Sequence, residues 1–183
     1  ALFSGCGTFP DLTICEVAST TLVITFKITK QPALNELGIY FKFSHTSDHS
    51  AAHIAEEYLS YEDIGGVKML LAQHNASGFV TDLSHNVDLF DGQFHNVILS
   101  YDRDAPSFNL WLDGTLVGST TTVATNFTIS HTPVIAIGDN EGLDHGSNGV
   151  WDEAFIENRA WGQADVDNYF NNFFLGGPRK IKV

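Results

Sequence analysis

The sequence predicts an all-β sandwich or barrel of antiparallel strands with one short C-terminal helix. Three observations carry that prediction. Apolar residues alternate with period two along most of the chain, turn residues recur between the alternating runs, and one late stretch changes to helical spacing. In Thr20–Thr29, Leu22, Ile24, Phe26 and Ile28 share one face, with Val23, Thr25 and Lys27 opposite. In Gly38–Ser44, Ile39, Phe41 and Phe43 alternate with Tyr40 and Lys42. Shorter candidates follow at Tyr58–Tyr61, Val67–Gln73 and Gly78–Thr81. His95–Tyr101 places Val97, Leu99 and Tyr101 on one side, and Ser107–Asp113 turns Phe108, Leu110 and Leu112 inward and Asn109 and Trp111 outward. Leu116–Val123, Val134–Ile137 and Val150–Glu157 complete the strands.

Gly65-Gly66, Asp91-Gly92, Asp104-Ala105-Pro106 and Asp113-Gly114 separate these runs, and Asp113-Gly114 suits a hairpin because both residues tolerate positive φ. From Val166 the apolar residues fall at Val166, Tyr169, Phe170, Phe173 and Phe174, the stripe of an amphipathic helix that Gly176-Gly177-Pro178 stops.

The chain has 183 residues, the size of one ordinary domain. Hydrophobic residues make up 43% and charged residues 17%, and 14 Phe, 5 Tyr and 3 Trp argue for a packed core instead of disorder. No apolar run approaches the ~20 residues of a spanning helix, so no membrane span is expected. Nine cations stand against 22 carboxylates, a balance that excludes a nucleic-acid-binding stripe. Three of those cations lie in the segment Pro178–Val183, so the other six face all 22 acids. Cys6 and Cys15 read as a disulfide closing a small loop or as two buried thiols. The sequons at Asn75 and Asn126 favour the disulfide and a secreted, extracellular protein. A chain beginning at Ala1 fits a mature secreted product or a trimmed fragment equally.

Three segments together resemble the laminin G-like branch of the concanavalin A-like lectin/glucanase superfamily. Asp91-Gly92-Gln93-Phe94-His95 opens a strand that ends in Tyr101-Asp102, Phe108–Leu112 leads into Asp113-Gly114, and Gly149–Trp161 matches a closing strand followed by a short helix. The resemblance is strong over about residues 88–174 and loose over 20–87. It implies a two-sheet antiparallel jelly-roll sandwich, which we place over residues 1–177; the charge and alternation of 178–183 mark it separately as a basic C-terminal arm. The fold serves lectins, adhesion modules, pentraxins and glycosidases alike, so function has to come from particular residues.

Glycoside hydrolysis needs two carboxylates about 5–5.5 Å apart for retention. Glu153 and Glu157 share a strand face with Cα atoms roughly 13 Å apart, and Phe155 stands between them, so an enzyme is not expected. The loop Gly138–Gly149 packs oxygen ligands among glycines. It is loosely similar to the pentraxin calcium loop, which makes Asp139, Asn140, Glu141 and Asp144 candidate Ca2+ ligands. Asp152 sits where laminin G-like domains place a structural calcium ligand; a solvated turn is the alternative. His45, His49 and His53 would line one helical face, as zinc ligands do, but they fall between strands and read as a solvated loop. Trp111 and Tyr40 point outward by alternation and are candidates for stacking on sugars or a partner, unless the late helix or residues 44–57 cover them.

Two functional readings follow, both of a non-catalytic extracellular module. The first is a structural subunit that associates with copies of itself, as a homo-oligomer or filament, through the strand-like cationic arm Arg179, Lys180, Ile181, Lys182 and Val183. The alternative is a calcium-dependent, lectin-like glycan-binding module. Glycosidase is the third class.

Overall fold

In the computed structural model the chain is described over residues 19–34, 37–44, 55–76, 79–125, 134–137, 149–157 and 159–174. Ten strands lie in chain order: β1 Ser19–Ile28, β2 Leu37–Ser44, β3 Ala55–Ile64, β4 Val67–Ala76, β5 Phe79–Asn86, β6 His95–Asp102, β7 Ser107–Leu112, β8 Thr115–Thr120, β9 Val134–Ile137 and β10 Gly149–Glu157. They form two five-stranded antiparallel sheets, ordered β10-β1-β6-β7-β8 and β5-β4-β3-β2-β9. Helix α1, Gln163–Tyr169, follows and ends in a π turn over Phe170–Phe174. The jelly-roll sandwich and its late helix agree with the alternation read from the sequence.

The inward faces make the core. Leu22, Ile24, Phe26 and Ile28 of β1 meet Phe41, Leu59, Tyr61 and Leu70 of the opposite sheet, and Val97, Leu99, Tyr101, Phe108 and Leu110 extend the same cluster. Each fully buried side chain of this size contributes about 1.5–3 kcal/mol. The β7–β8 turn uses the expected pair, with Asp113 at φ 50° and Gly114 at φ 79°. Only glycine takes the second value without strain.

The outward face of the β10-β1-β6-β7-β8 sheet departs from simple alternation. Helix α1 lies across it, so Val23, Ile98 and Trp111 join Trp161, Val166 and Tyr169 in a second buried cluster with Phe155 at its edge. The chain reaches this position by hydrogen bonds to the sheet's outward polar groups. The Trp161 amide donates to Ser100 Oγ (2.9 Å) and Thr21 Oγ1 (3.0 Å), and Thr21 Oγ1 donates to the Arg159 carbonyl (2.7 Å). At the helix start the Gly162 amide donates to the Asp165 carboxylate (3.1 Å), which also pairs with Arg159 (3.0 Å). A carboxylate there complements the helix dipole.

This arrangement corrects the reading of Trp111 as a contact residue. Its ring does leave the sandwich core, as alternation requires, but it is 3% exposed, and its Nε1 donates to Gln163 Oε1 at 2.9 Å. Covering it removes a large apolar ring from water, which outweighs keeping the position open. Among the described residues no helix is long and apolar enough to cross a membrane.

Candidate functional site

With one sheet covered by α1, the outer face of the β5-β4-β3-β2-β9 sheet is the candidate surface, and no described helix lies on it. Period-two geometry sends Leu59, Tyr61, Leu70, Ala72 and Leu83 into the core. Their neighbours in sequence therefore face out. The strand register arranges those neighbours in rows. Tyr58 stands opposite Gln73, which stands opposite Asp82; Ser60, Leu71 and Ser84 form the next row. On β2, Lys42 is in register with Tyr58, and Tyr40 with Ser60. Gln73 Nε2 donates to Asp82 Oδ1, and Ser60 Oγ donates to Glu62 Oε1 at 2.6 Å. The first bond orients both side chains. Tyr58 and Leu71 are partly buried on this face and Ser60 is 2% exposed, so Gln73 and Asp82 beside them are the groups that could meet a polyhydroxylated ligand with an apolar face.

A second cluster closes one end of the sandwich, where the β1–β2, β3–β4 and β5–β6 connections and the β7–β8 turn gather. His95 opens β6 between two carboxylates. Its Nδ1 lies 2.9 Å from Asp113 Oδ2 and its Nε2 lies 3.1 Å from Asp91 Oδ1. Asp113 Oδ1 also accepts the Asn96 amide at 2.8 Å, and Asp91 Oδ1 the Gln93 amide at 2.8 Å. Bonding to Asp113 raises the His95 pKa against a partial opposing effect of burial, and the Asp91 charge adds to the rise. The Gln93 amide, and then His95, lower the Asp91 pKa.

The signs define a pH window. His95 contributes its extra stability below its ordinary value of 6.5 and loses it as pH climbs through the raised folded value. Asp91 contributes above its ordinary value of 3.8 and loses it as pH falls through the lowered one. The stability gap between the native chain and His95→Gln should therefore be widest between these two values and narrow on the alkaline side. Urea titrations at stepped pH test this, and a gap independent of pH would contradict it.

The carboxylates of the closing strand serve the helix. Glu153 Oε2 accepts the Tyr169 hydroxyl and Glu157 Oε2 accepts Trp161 Nε1, both at 2.7 Å. Phe155 between them packs on Trp161 and Tyr169. Burial, reinforced by the Glu153 carboxylate, drives the Tyr169 pKa far above the phenol range. These two acids brace aromatic side chains and do not face each other across a cleft.

The other sequence candidates fall as follows. Asp152 is exposed on β10 and is the extra residue of a β-bulge opposite Thr25 and Phe26. Among the described residues no three His, Cys, Asp or Glu side chains come together as a metal site. Asp139, Asn140, Glu141 and Asp144, Cys6 and Cys15, Asn126, the three histidines His45, His49 and His53, and the arm Arg179–Val183 lie outside the described residues, as does the side chain of Tyr40. Asn75 of the first sequon lies on β4 and is 8% exposed, and Ser77 of that sequon lies outside the described residues. Sequence reasoning did not single out Tyr58, Gln73 and Asp82. Tyr58 and Gln73 fell in expected strands and Asp82 just beyond one, but the register that places them side by side was not legible.

The fold agrees with what the chain resembles. It belongs to the concanavalin A-like lectin/glucanase superfamily, whose family model matches residues 8–167. No curated protein sequence matches it. Among solved structures it is similar to the carbohydrate-binding module CBM40 of the Ruminococcus gnavus IT-sialidase, with a TM-score of 0.62 and 15% identity, covering 86% of this chain and 85% of that one. It is also similar to a heptameric SAP-like pentraxin from Limulus polyphemus, with a TM-score of 0.57 and 15% identity over 84% of this chain and 70% of that one. A third is a botulinum neurotoxin type C structure, described as depending on two ganglioside molecules for cell entry. There the TM-score is 0.63 at 10% identity, over 90% of this chain and 38% of the other. At these identities the likeness is one of fold.

Proposed function

We propose that this domain is a non-catalytic extracellular module that binds glycans on the outer face of β3, β4 and β5. The observation that carries the reading is the Gln73–Asp82 pair, fixed by its own hydrogen bond beside Tyr58 and Leu71 on the face that α1 leaves uncovered. A sugar ring laid on Tyr58 would place its apolar face on the aromatic ring and its hydroxyls toward Gln73 Oε1 and the Asp82 carboxylate. The carbohydrate-binding module among the fold neighbours supports the same class of ligand. The engagement of Glu153 and Glu157 with Tyr169 and Trp161 supports binding without hydrolysis. In this reading calcium is an accessory ion held by Asp152 together with Asp139, Asn140, Glu141 and Asp144. It would supply charge compensation to the connection ahead of β10.

A glycan array followed by titration calorimetry tests the proposal, run in calcium and in chelator. Gln73→Ala and Asp82→Ala should each weaken the best glycan about ten-fold or more, since each removes hydrogen bonds worth about 1–2 kcal/mol, while thermal stability stays unchanged. Affinity unchanged in both variants would move the site off this face. Loss on chelation, abolished by Asp152→Ala, is the result expected of the calcium component.

A further inference from the structure

The large apolar side chains left exposed are concentrated at the end of the sandwich that His95 closes. Leu34 in the β1–β2 connection, Ile64 and Val67 flanking the β3–β4 turn, and Phe90 and Phe94 in the β5–β6 connection are 38–62% exposed. Asp88 binds these three connections together. It accepts the Tyr61 hydroxyl of β3 (3.2 Å), Gln31 Nε2 of the β1–β2 connection (3.4 Å) and the Phe90 amide (3.0 Å), with Lys68 Nζ at 3.9 Å. The five side chains therefore lie on connections that meet at one braced end of the sandwich, here called the rim. Among the described residues nothing buries these side chains, and exposed apolar side chains gathered in this way mark a contact surface.

The charge of the whole chain favours a cationic occupant. The Asp88 and Asp91 side chains are 58% and 50% exposed within the rim, while Lys68 is drawn onto Asp88 and Lys27 lies over the Phe94 ring at 5.1 Å. Beyond it, the body sets 22 carboxylates against six cations, which repels anionic partners and attracts cationic ones. The sequence contains one short segment that is both cationic and apolar in alternation: Arg179-Lys180-Ile181-Lys182-Val183. Ile181 and Val183 share one parity and would meet the apolar side chains, while the cations would meet Asp88 and Asp91.

We propose that this rim is the docking site for the basic arm, residues 178–183, of a second copy of the chain. The contact joins two different surfaces, arm and rim, so repetition gives a ring or an open filament. It uses neither Gln73 nor Asp82 and stands independently of the glycan reading.

The test combines sedimentation of the whole chain over a concentration series with binding of a synthetic peptide of residues 176–183 to the chain lacking 178–183. Assembly that grows with concentration, is lost on deleting the arm and weakens at high salt is the expected result, as is peptide binding reduced about ten-fold or more by Phe90→Asp or Ile64→Asp. Both positions are exposed, and unchanged melting temperatures would show that the variants fold. Equal peptide binding by the native rim and both variants would overturn the proposal. So would a monomer at every concentration whose peptide affinity rises on deleting the arm, which would place the arm on its own domain. Capture by neutral phosphatidylcholine vesicles without peptide binding would make the rim a lipid contact and likewise defeat it.

Discussion

Replacing Trp111 by alanine should destabilise the domain by about 3–5 kcal/mol, the cost of emptying a buried aromatic site. The effect is large because Trp111 joins two layers. Its ring rises from β7 and fills the space between the sheet and α1, in contact with the cluster of Val23, Ile98, Trp161, Val166 and Tyr169. Trp161 and Tyr169 tilt against each other with centroids 5.6 Å apart, so removing their neighbour loosens an aromatic group and not a single contact. Gln163 would lose the indole N–H that it accepts and keep only its bonds from Nε2 to the Gly114 carbonyl and Asp167. A helix of seven residues is marginal in water without a packed face, so it should detach before the sandwich unfolds. Denaturant unfolding followed by far-ultraviolet and aromatic circular dichroism would show the loss, with Trp111→Phe recovering part of it. A loss below about 1 kcal/mol would mean that the helix does not depend on this ring.

The second large effect lies inside the sandwich at the end opposite the rim. Glu57 and His74 are cross-strand partners on β3 and β4 whose side chains turn into the core, with His74 Nδ1 3.6 Å from Glu57 Oε1. Thr20 Oγ1 donates to the same carboxylate at 3.1 and 3.2 Å, and the imidazole stacks on Tyr101 at 4.2 Å with 16° between planes. Burial, together with the nearby Glu57 charge, pushes the Tyr101 phenol above its ordinary pKa. His74→Ala removes the stacked ring and leaves a buried carboxylate facing a cavity, at a cost of about 3–5 kcal/mol. Adding Glu57→Gln should return a substantial part by removing the charge, and a double-mutant cycle measures that coupling. If the single and double variants were equally destabilised, the two residues would be acting separately.

Much of the fold was legible because strand periodicity is a local property. Leu22, Ile24, Phe26 and Ile28 face the core on the parity read from the sequence, and Asp113-Gly114 makes the expected turn. The strand expected at Gly78–Thr81 extends instead over Phe79–Asn86, because Asp82, Ser84 and Asn86 occupy the outward parity and mask the inward series Thr81 and Leu83. The late helix begins at Gln163, where Gly162 and Asp165 cap it, and changes to a π turn at Phe170. The binding face was less legible. Tyr58, Gln73 and Asp82 come from three strands, and only the pairing register sets them in a row.

The sequence by itself determined the all-β class, the parity of the strands with the longest alternating runs, the turn at Asp113-Gly114, the late helix, and the acidic body with its cationic arm. These depend on the spacing and chemistry of near neighbours. Only the tertiary structure decided that Trp111 is buried under α1, that Asn75 is 8% exposed, that Gln73 meets Asp82, and that Asp88 ties the β1–β2 and β5–β6 connections to β3. Those outcomes depend on contacts between segments tens of residues apart, where burial of whole faces, and not local alternation, determines which side of a strand meets water.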